Sequence, residues 1–329
     1  MVIEKRLKIV AMKKIRVGVI GVGYLGKFHA EKYARMEDVD LEGVVDIDGK
    51  KARQVAEEFG TKAYADYKNL LGLVDAVSIA VPTPAHFAVA KDFLKNGIDV
   101  LIEKPMTTIL EDAEELIRFA ERQGLIVQVG HLERFNPAVV ALRDIVSSPR
   151  FIEAHRLSIY KERCTDVSVV LDLMIHDIDI ILSLVGPQIK NIQAAGIPVV
   201  SGHTDIANAR LEFENGSVAN ITASRISTKN ERKIRLFQRD AYVSVDFANQ
   251  EITIIQKGNK DNNALIPGME IRQLCFAKGD ALEDELKSFI KAVISRESPK
   301  VTGQMGRDAL KVALNIMQQI DNANSHFLR

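Results

Sequence analysis

Three glycines constrain this chain more than any other feature. Gly21, Gly23 and Gly26 directly follow an apolar run at residues 15–20 and open a helical pattern. A strand, a tight turn and a helix N-terminus in that order start a βαβ unit. The first glycine permits the turn, the second lets backbone approach a pyrophosphate, and the third allows the helix to pack closely on the strand. Twenty residues beyond Gly26, Asp46 closes a second apolar run. A carboxylate there can accept hydrogen bonds from both hydroxyls of an adenosine ribose. The set predicts NAD binding through Gly21, Gly23, Tyr24, Leu25, Gly26 and Asp46. A 2′-phosphate would meet the negative charge of Asp46, although Lys50, Lys51 and Arg53 nearby keep NADP use open.

The alternation continues through the first 130 residues. Apolar runs at 41–46, 76–81, 100–102 and 126–129, with a shorter one near residues 63 and 64, alternate with helical patterns at 27–36, 50–59, 84–96 and 109–123. Strands that are apolar on both faces and separated by helices predict a doubly wound parallel sheet. The texture changes after 137–149. Alternating runs at 207–213, 217–224, 233–237, 242–247 and 252–255 predict half-buried antiparallel strands, with Asn215-Gly216 as a hairpin turn. One helix, 169–185, closes on Gly186-Pro187; a loop is expected at 258–268 and helices at 280–295 and 304–323. The fold class is therefore α/β: a Rossmann domain over 13–131, then an α+β domain over 132–329, with 304–323 left free to pack back on the first.

Lys plus Arg and Asp plus Glu both number 44, so no overall basic field favours a nucleic acid or an anionic membrane as partner. Cys164 and Cys275 are the two cysteines, without a CxxC pair, so neither a disulfide framework nor a metal site is expected and a reducing cytoplasm is the simplest setting. No run reaches membrane-spanning length. The first dozen residues are read as a lead-in, with Met12 an alternative start.

A second constellation begins where the run at 100–102 meets Glu103-Lys104-Pro105, at the carboxyl edge of the sheet, where ligands bind in open α/β folds. A residue before proline is held extended. Further on, Asp172 and His176 stand four apart on a helical pattern and so project from one face. Together with Gly21 to Gly26, Glu103-Lys104-Pro105 and the stretch from Asp172 through His176 to Asp179 resemble, in order and approximate spacing, the Gfo/Idh/MocA family of nicotinamide-dependent sugar oxidoreductases. The resemblance covers nearly the whole chain. It implies a second domain with a large, open, mostly antiparallel sheet and an active site between the two domains. It also implies that Glu103 and Lys104 border the nicotinamide, with Lys104, Asp172 and His176 as the catalytic set.

Oxidising a secondary alcohol requires a base to take the hydroxyl proton as hydride leaves carbon, and His with a pKa near neutrality is the usual one. An ammonium such as Lys104 can stabilise the developing alkoxide and help relay the proton. Pro82, Thr83 and His86 follow the fourth strand where the family often shows Pro-Asn-x-x-His, which implies a place beside the cofactor. Residues 130–137 resemble the family's inter-domain segment, so Arg134 is expected to orient cofactor or substrate. Val169, Val170 and Met174 stand where glycines are frequent in the family, and imply a specialised substrate side. Residues 131–136, 165–166 and 169–179 resemble the branch that oxidises the 3-hydroxyl of UDP-N-acetylglucosamine on the way to the diamino sugar of lipid A. Arg156, Lys161, Arg163 and Arg225 would then meet the UDP diphosphate. Two other readings are a dehydrogenase of a free sugar, inositol or other polyol, and a non-catalytic sensor of NAD(P) or sugar, against which Lys104, Asp172 and His176 argue. The broad sheet of the second domain would bury badly in a monomer, so a homodimer or homotetramer is expected.

Overall fold

Near-continuous apolar runs become the strands of a six-stranded parallel sheet in this computed structural model, which describes residues 14–160, 167–186, 188–258 and 266–327. The strands are β1 (Ile15–Ile20), β2 (Val39–Val45), β3 (Lys62–Tyr64), β4 (Ala76–Ile79), β5 (Asp99–Glu103) and β6 (Val127–Gly130), in the order β3-β2-β1-β4-β5-β6. The helices α1 (Tyr24–Arg35), α2 (Gly49–Phe59), α3 (His86–Lys95) and α4 (Leu110–Gln123) connect them. All four residues of β4 are buried, which explains why that strand reads as unbroken hydrophobicity rather than alternation. The strand order reverses between β1 and β4, and the loops leaving these strands lie side by side: Ala80 N–H donates to Ile20 O at 2.8 Å. Local chemistry sets the helix ends. Asp48 caps α2 by accepting from the Lys50 and Lys51 N–H groups, and Gly60 ends it at φ 69°.

An eight-stranded sheet forms from β7 (Phe151–Leu157), β8 (Ile189–Ile197), β9 (Ile206–Phe213), β10 (Val218–Ser224), β11 (Glu231–Gln238), β12 (Ala241–Asp246), β13 (Glu251–Lys257) and β14 (Met269–Cys275), ordered β14-β13-β12-β11-β7-β10-β9-β8. All its pairs are antiparallel except β7 with β10. Its alternate side chains, among them Ile152, Ala154, Ala209, Leu211, Ile221 and Ile234, bury against α5 (Pro137–Ile145), α6 (Ile175–Val185) and α8 (Gly303–Phe327). The edge strand β8 is covered by α8: Gln319 accepts from Ala194 N–H at 3.1 Å and donates to Ile192 O at 2.9 Å, much as a neighbouring strand would.

The chain divides into two compact units. The first comprises the chain up to Ile102, Phe119–Val127 and Leu286–Pro299; the second comprises Glu103–Arg118, Gln128–Glu285 and the chain from Lys300 on. The last helix, left open by the sequence, lies with the second unit on β8 and α6. It is the end of α7 (Ala281–Ser295) that groups with the first, where Arg296 grips both oxygens of the buried Asp99 at 2.9 and 2.7 Å.

Four elements escaped the sequence reading. The helix α5 carries its own start signal, Asn136 accepting from Ala138 N–H with Pro137 at the first helical position, inside what reads as a boundary segment. The strand β7 mixes Glu153, His155 and Arg156 into its apolar alternation and so gives no clear apolar run. A register shift between Ile189 and Asn191 interrupts the alternation of β8, and β14 is an edge strand with mostly exposed side chains. The expected helix 169–185 also begins differently, as a π-helical turn over Val170–Met174 that passes into α6. Pro187 and most of the expected loop 258–268 lie outside the described residues.

Candidate functional site

The glycine loop adopts the geometry its spacing demands. Gly21 has φ +87°, and a Cβ there would stand 2.7 Å from Ala80 O. A Cβ on Gly26 would fall 1.8 Å from Gly21 O, so the helix can pack against the turn only without a side chain. A Cβ on Gly23 would meet nothing within 4 Å, which leaves open space over the backbone where α1 begins, and no side chain caps that helix. Asp46 anchors the loop: one oxygen accepts from Val22 N–H at 3.0 Å and the other from Asp48 N–H at 2.9 Å. Ile47 beside it is 99% exposed, and Tyr24 and Leu25 at the mouth of the loop are exposed as well. Thr83 lies in a 3₁₀ turn after β4, next to the exposed Pro82, while His86 is buried with Nε2 on Val81 O at 2.8 Å. Open backbone over a helix start, an acid fixed beside it and an uncovered apolar side chain fit the pyrophosphate, ribose and adenine of a dinucleotide.

The second set gathers in the second unit. Lys104 follows β5 and precedes a cis peptide bond to Pro105. Its ammonium donates to the Asp172 carbonyl at 2.6 Å and stands 3.7 Å from the Asp172 carboxylate. That carbonyl belongs to the π-helical turn, whose changed hydrogen-bond pattern lets a side chain take it up. His176 opens the following helix, partly exposed, with a buried Nδ1 that has no hydrogen-bond partner among the described residues. Burial, then the positive charges of Lys104 and Arg156, hold its imidazole well below the usual histidine range. The ring is therefore neutral at physiological pH, and its pKa departs from the near-neutral value expected of a free-standing base. Glu103 is 8% exposed and accepts the Lys104 N–H at 3.3 Å, which makes it a support for the lysine turn rather than a group facing outward.

Of the arginines read from the sequence as substrate ligands, Arg134, Arg156 and Arg225 are internal. Arg156 is 3% exposed; its Nε and Nη2 donate to Asp177 at 3.0 and 2.8 Å, and its Nη1 to Glu133 at 2.8 Å. Burial opposes the guanidinium charge, but Asp177 and Glu133 outweigh it and raise the pKa further. Arg134 is equally buried, 3.5 Å from Asp179. Arg225 is 5% exposed and donates to Val167 O at 2.6 Å. At Arg156 and Arg225 this corrects the expectation of diphosphate contact, because each side chain is desolvated and turned to a protein partner, and Arg134, expected to orient cofactor or substrate, is likewise desolvated beside Asp179. Lys161 and Arg163 lie outside the described residues. Sequence reasoning missed Arg232 on β11, which is 57% exposed, 3.9 Å from Glu133 and within electrostatic reach of His176. It also missed the buried acids Asp177 and Glu285 and the half-buried Glu133. Among the described residues no group of His, Cys, Asp and Glu is placed to hold a metal ion, and no helix is long and apolar enough to cross a membrane.

Residues 15–131 match the model of an oxidoreductase family with an NAD-binding Rossmann fold, and residues 146–244 match the Gfo/Idh/MocA C-terminal domain. The chain is 40% identical over 94% of its length to UDP-N-acetylglucosamine 3-dehydrogenase of Acidithiobacillus ferrooxidans, covering 98% of that protein. It belongs to the Gfo/Idh/MocA family of NAD-binding oxidoreductases. A solved structure of the same Acidithiobacillus protein superposes with a TM-score of 0.90 at 39% identity, covering 94% of this chain and 99% of that one. Myo-inositol 2-dehydrogenase of Thermotoga maritima is more distant, 26% identical with 94% and 98% of the two chains covered. A levoglucosan dehydrogenase solved with NADH and L-sorbose shares the fold, with a TM-score of 0.85 at 16% identity over 94% of this chain and 98% of that one.

Proposed function

We propose that this enzyme oxidises the 3-hydroxyl of UDP-N-acetylglucosamine with NAD, and that Lys104, Asp172 and His176 carry the chemistry. The observation that supports this most is the cluster itself: a partly buried ammonium seated on Asp172, beside a neutral imidazole. Neutral His176 accepts the hydroxyl proton, and the Lys104 ammonium stabilises the oxygen as negative charge develops on it. Asp172 orients Lys104 through its carbonyl and adds a compensating carboxylate. NAD would supply the hydride acceptor. Gly21, Gly23, Tyr24, Leu25, Gly26 and Asp46 would hold the pyrophosphate and ribose, the uncovered Ile47 would meet the adenine, and Pro82, Thr83 and His86 would border the nicotinamide half. Arg232, an exposed cation within electrostatic reach of His176, meets the anionic end of the substrate.

The functional division follows residues 13–131 for the cofactor and 132–329 for substrate and assembly. We further propose a cytoplasmic homodimer or homotetramer that supplies a 3-keto sugar for later transamination, as lipid A with a diamino sugar requires, with no nucleic acid or membrane as partner. NADH formation from NAD with UDP-N-acetylglucosamine, myo-inositol and free hexoses tests the reading. Turnover with the UDP-sugar at least about tenfold above the others is expected; preference for myo-inositol refutes the substrate, and binding of NAD without any turnover refutes the enzyme.

The neutral His176 also sets a pH dependence. An imidazole whose pKa is depressed keeps its basic form down to that pKa, so kcat/KM for oxidation should stay flat through the ordinary histidine range and fall only below it. A limb centred on the ordinary histidine value would contradict the arrangement.

A further inference from the structure

Glu285, near the start of α7, is fully buried, and neither of its carboxyl oxygens has a hydrogen-bond partner among the described residues. Two more buried acids stand within its electrostatic reach, Glu103 and Asp179. The cations that face this group are Arg134, 3.5 Å from Asp179, and Lys104, which follows Glu103 in the chain. His131 adds none: its Nδ1 is 4.0 Å from Asp179, and burial foremost holds the ring below the usual histidine range, so it is neutral. Arg134 answers Asp179, and the Lys104 ammonium is seated on Asp172. A third ionised carboxyl would stand without a cation in a volume that excludes water.

The backbone links this acid to the lysine. Gln128 on β6 donates from Nε2 to Glu285 O at 3.1 Å and ties the start of α7 to that strand. Two residues further, Gly130 leaves room for the Glu103 carboxylate, which lies 3.0 Å from where a Cβ would stand. Glu103 in turn accepts the Lys104 N–H. We propose that Glu285 is a positioning residue for the reaction, keeping the Glu103 carboxylate seated over Gly130 and, through it, the turn that presents Lys104. It does this as an uncharged acid. Burial, then Glu103 and Asp179, push its carboxyl well above the usual range, so the proton stays on at neutral pH. Once ionised, Glu285 repels Glu103 across a dry interior, and the lysine turn moves with it.

The inference rests on the reading of Lys104 as catalytic. The test compares kcat, KM and melting temperature between about pH 5 and pH 9 in the full-length enzyme and in E285Q. E285M, uncharged and of similar length, is the second variant should the amide pack badly. At neutral pH E285Q should keep kcat within about twofold. As pH rises, wild-type kcat should fall with KM for NAD and sugar held, while both variants keep kcat.

Stability carries the same sign. A group whose folded pKa is raised contributes stability that is complete below the unfolded value, near 4.5, and is lost as pH climbs toward the folded one. Wild type should therefore lose melting temperature relative to E285Q with increasing pH. Parallel kcat profiles in wild type and E285Q, or a melting-temperature difference that does not change with pH, would overturn the proposal and leave Lys104 untouched. Full activity of K104A would instead remove the reading beneath it, and the proposal with it.

Discussion

Alanine at Lys104 is expected to lower kcat for sugar oxidation by roughly 10²–10⁴-fold, while NADH affinity stays within about twofold. The side chain is only 16% exposed and is aimed by Asp172, so its charge acts where little water competes. The residues proposed to hold the dinucleotide are mostly in the other compact unit, so binding and chemistry should separate. The same substitution carries a second signature. Lys104 is one of the charges that depress the His176 pKa; its loss should move the acid limb of kcat/KM upward, toward the ordinary histidine range. A variant that loses activity without moving that limb would place Lys104 away from His176. Stopped-flow turnover and NADH fluorescence titration check both parts.

The second large effect is on stability. Methionine at Arg156 should cost about 3–5 kcal/mol in denaturant unfolding, because it strands the buried carboxylate of Asp177 and the half-buried one of Glu133, which now share one guanidinium. Arg156 holds Glu133 below the usual carboxylate range against the opposing pull of burial, so the lost partner is a strong one. Both acids would take up protons at higher pH in the variant, which should sharpen its loss of stability above the acid range. The KM for UDP-sugar, measured on the folded fraction, should change little. An Arg156 that bound diphosphate would give the reverse pattern, a raised KM with stability preserved.

How much of this was legible in the sequence depends on which physical constraint each residue obeys. The glycine loop and Asp46 were readable because the turn tolerates no Cβ at Gly21 or Gly26 and because the acid must close the next strand. Lys104, Asp172 and His176 were readable as residue types at a spacing, though the π-helical turn that lets Lys104 take the Asp172 carbonyl leaves no mark in a pattern of hydrophobicity. Arg156 and Arg225 face inward for a reason the sequence does contain. In β7, Arg156 shares parity with Ile152 and Ala154, and Arg225 continues the parity of Ala219, Ile221 and Ala223, so strand alternation alone puts both on the buried face. Where β7 goes unrecognised, positive charge reads as solvent exposure. Glu285 likewise lies four residues before Phe289 on the apolar stripe of α7, but a carboxylate there looks like an interruption until its neighbours, Glu103 and Asp179, are brought to it from distant parts of the chain.

Direct hydride transfer from carbon 3 of the sugar to the nicotinamide is tested in one experiment, with UDP-N-acetylglucosamine deuterated at carbon 3 and unlabelled NAD. Deuterium should appear on carbon 4 of the recovered NADH, with a primary isotope effect on turnover whenever the chemical step limits the rate. Unlabelled NADH, with the deuterium still on the sugar or lost to water, would contradict it.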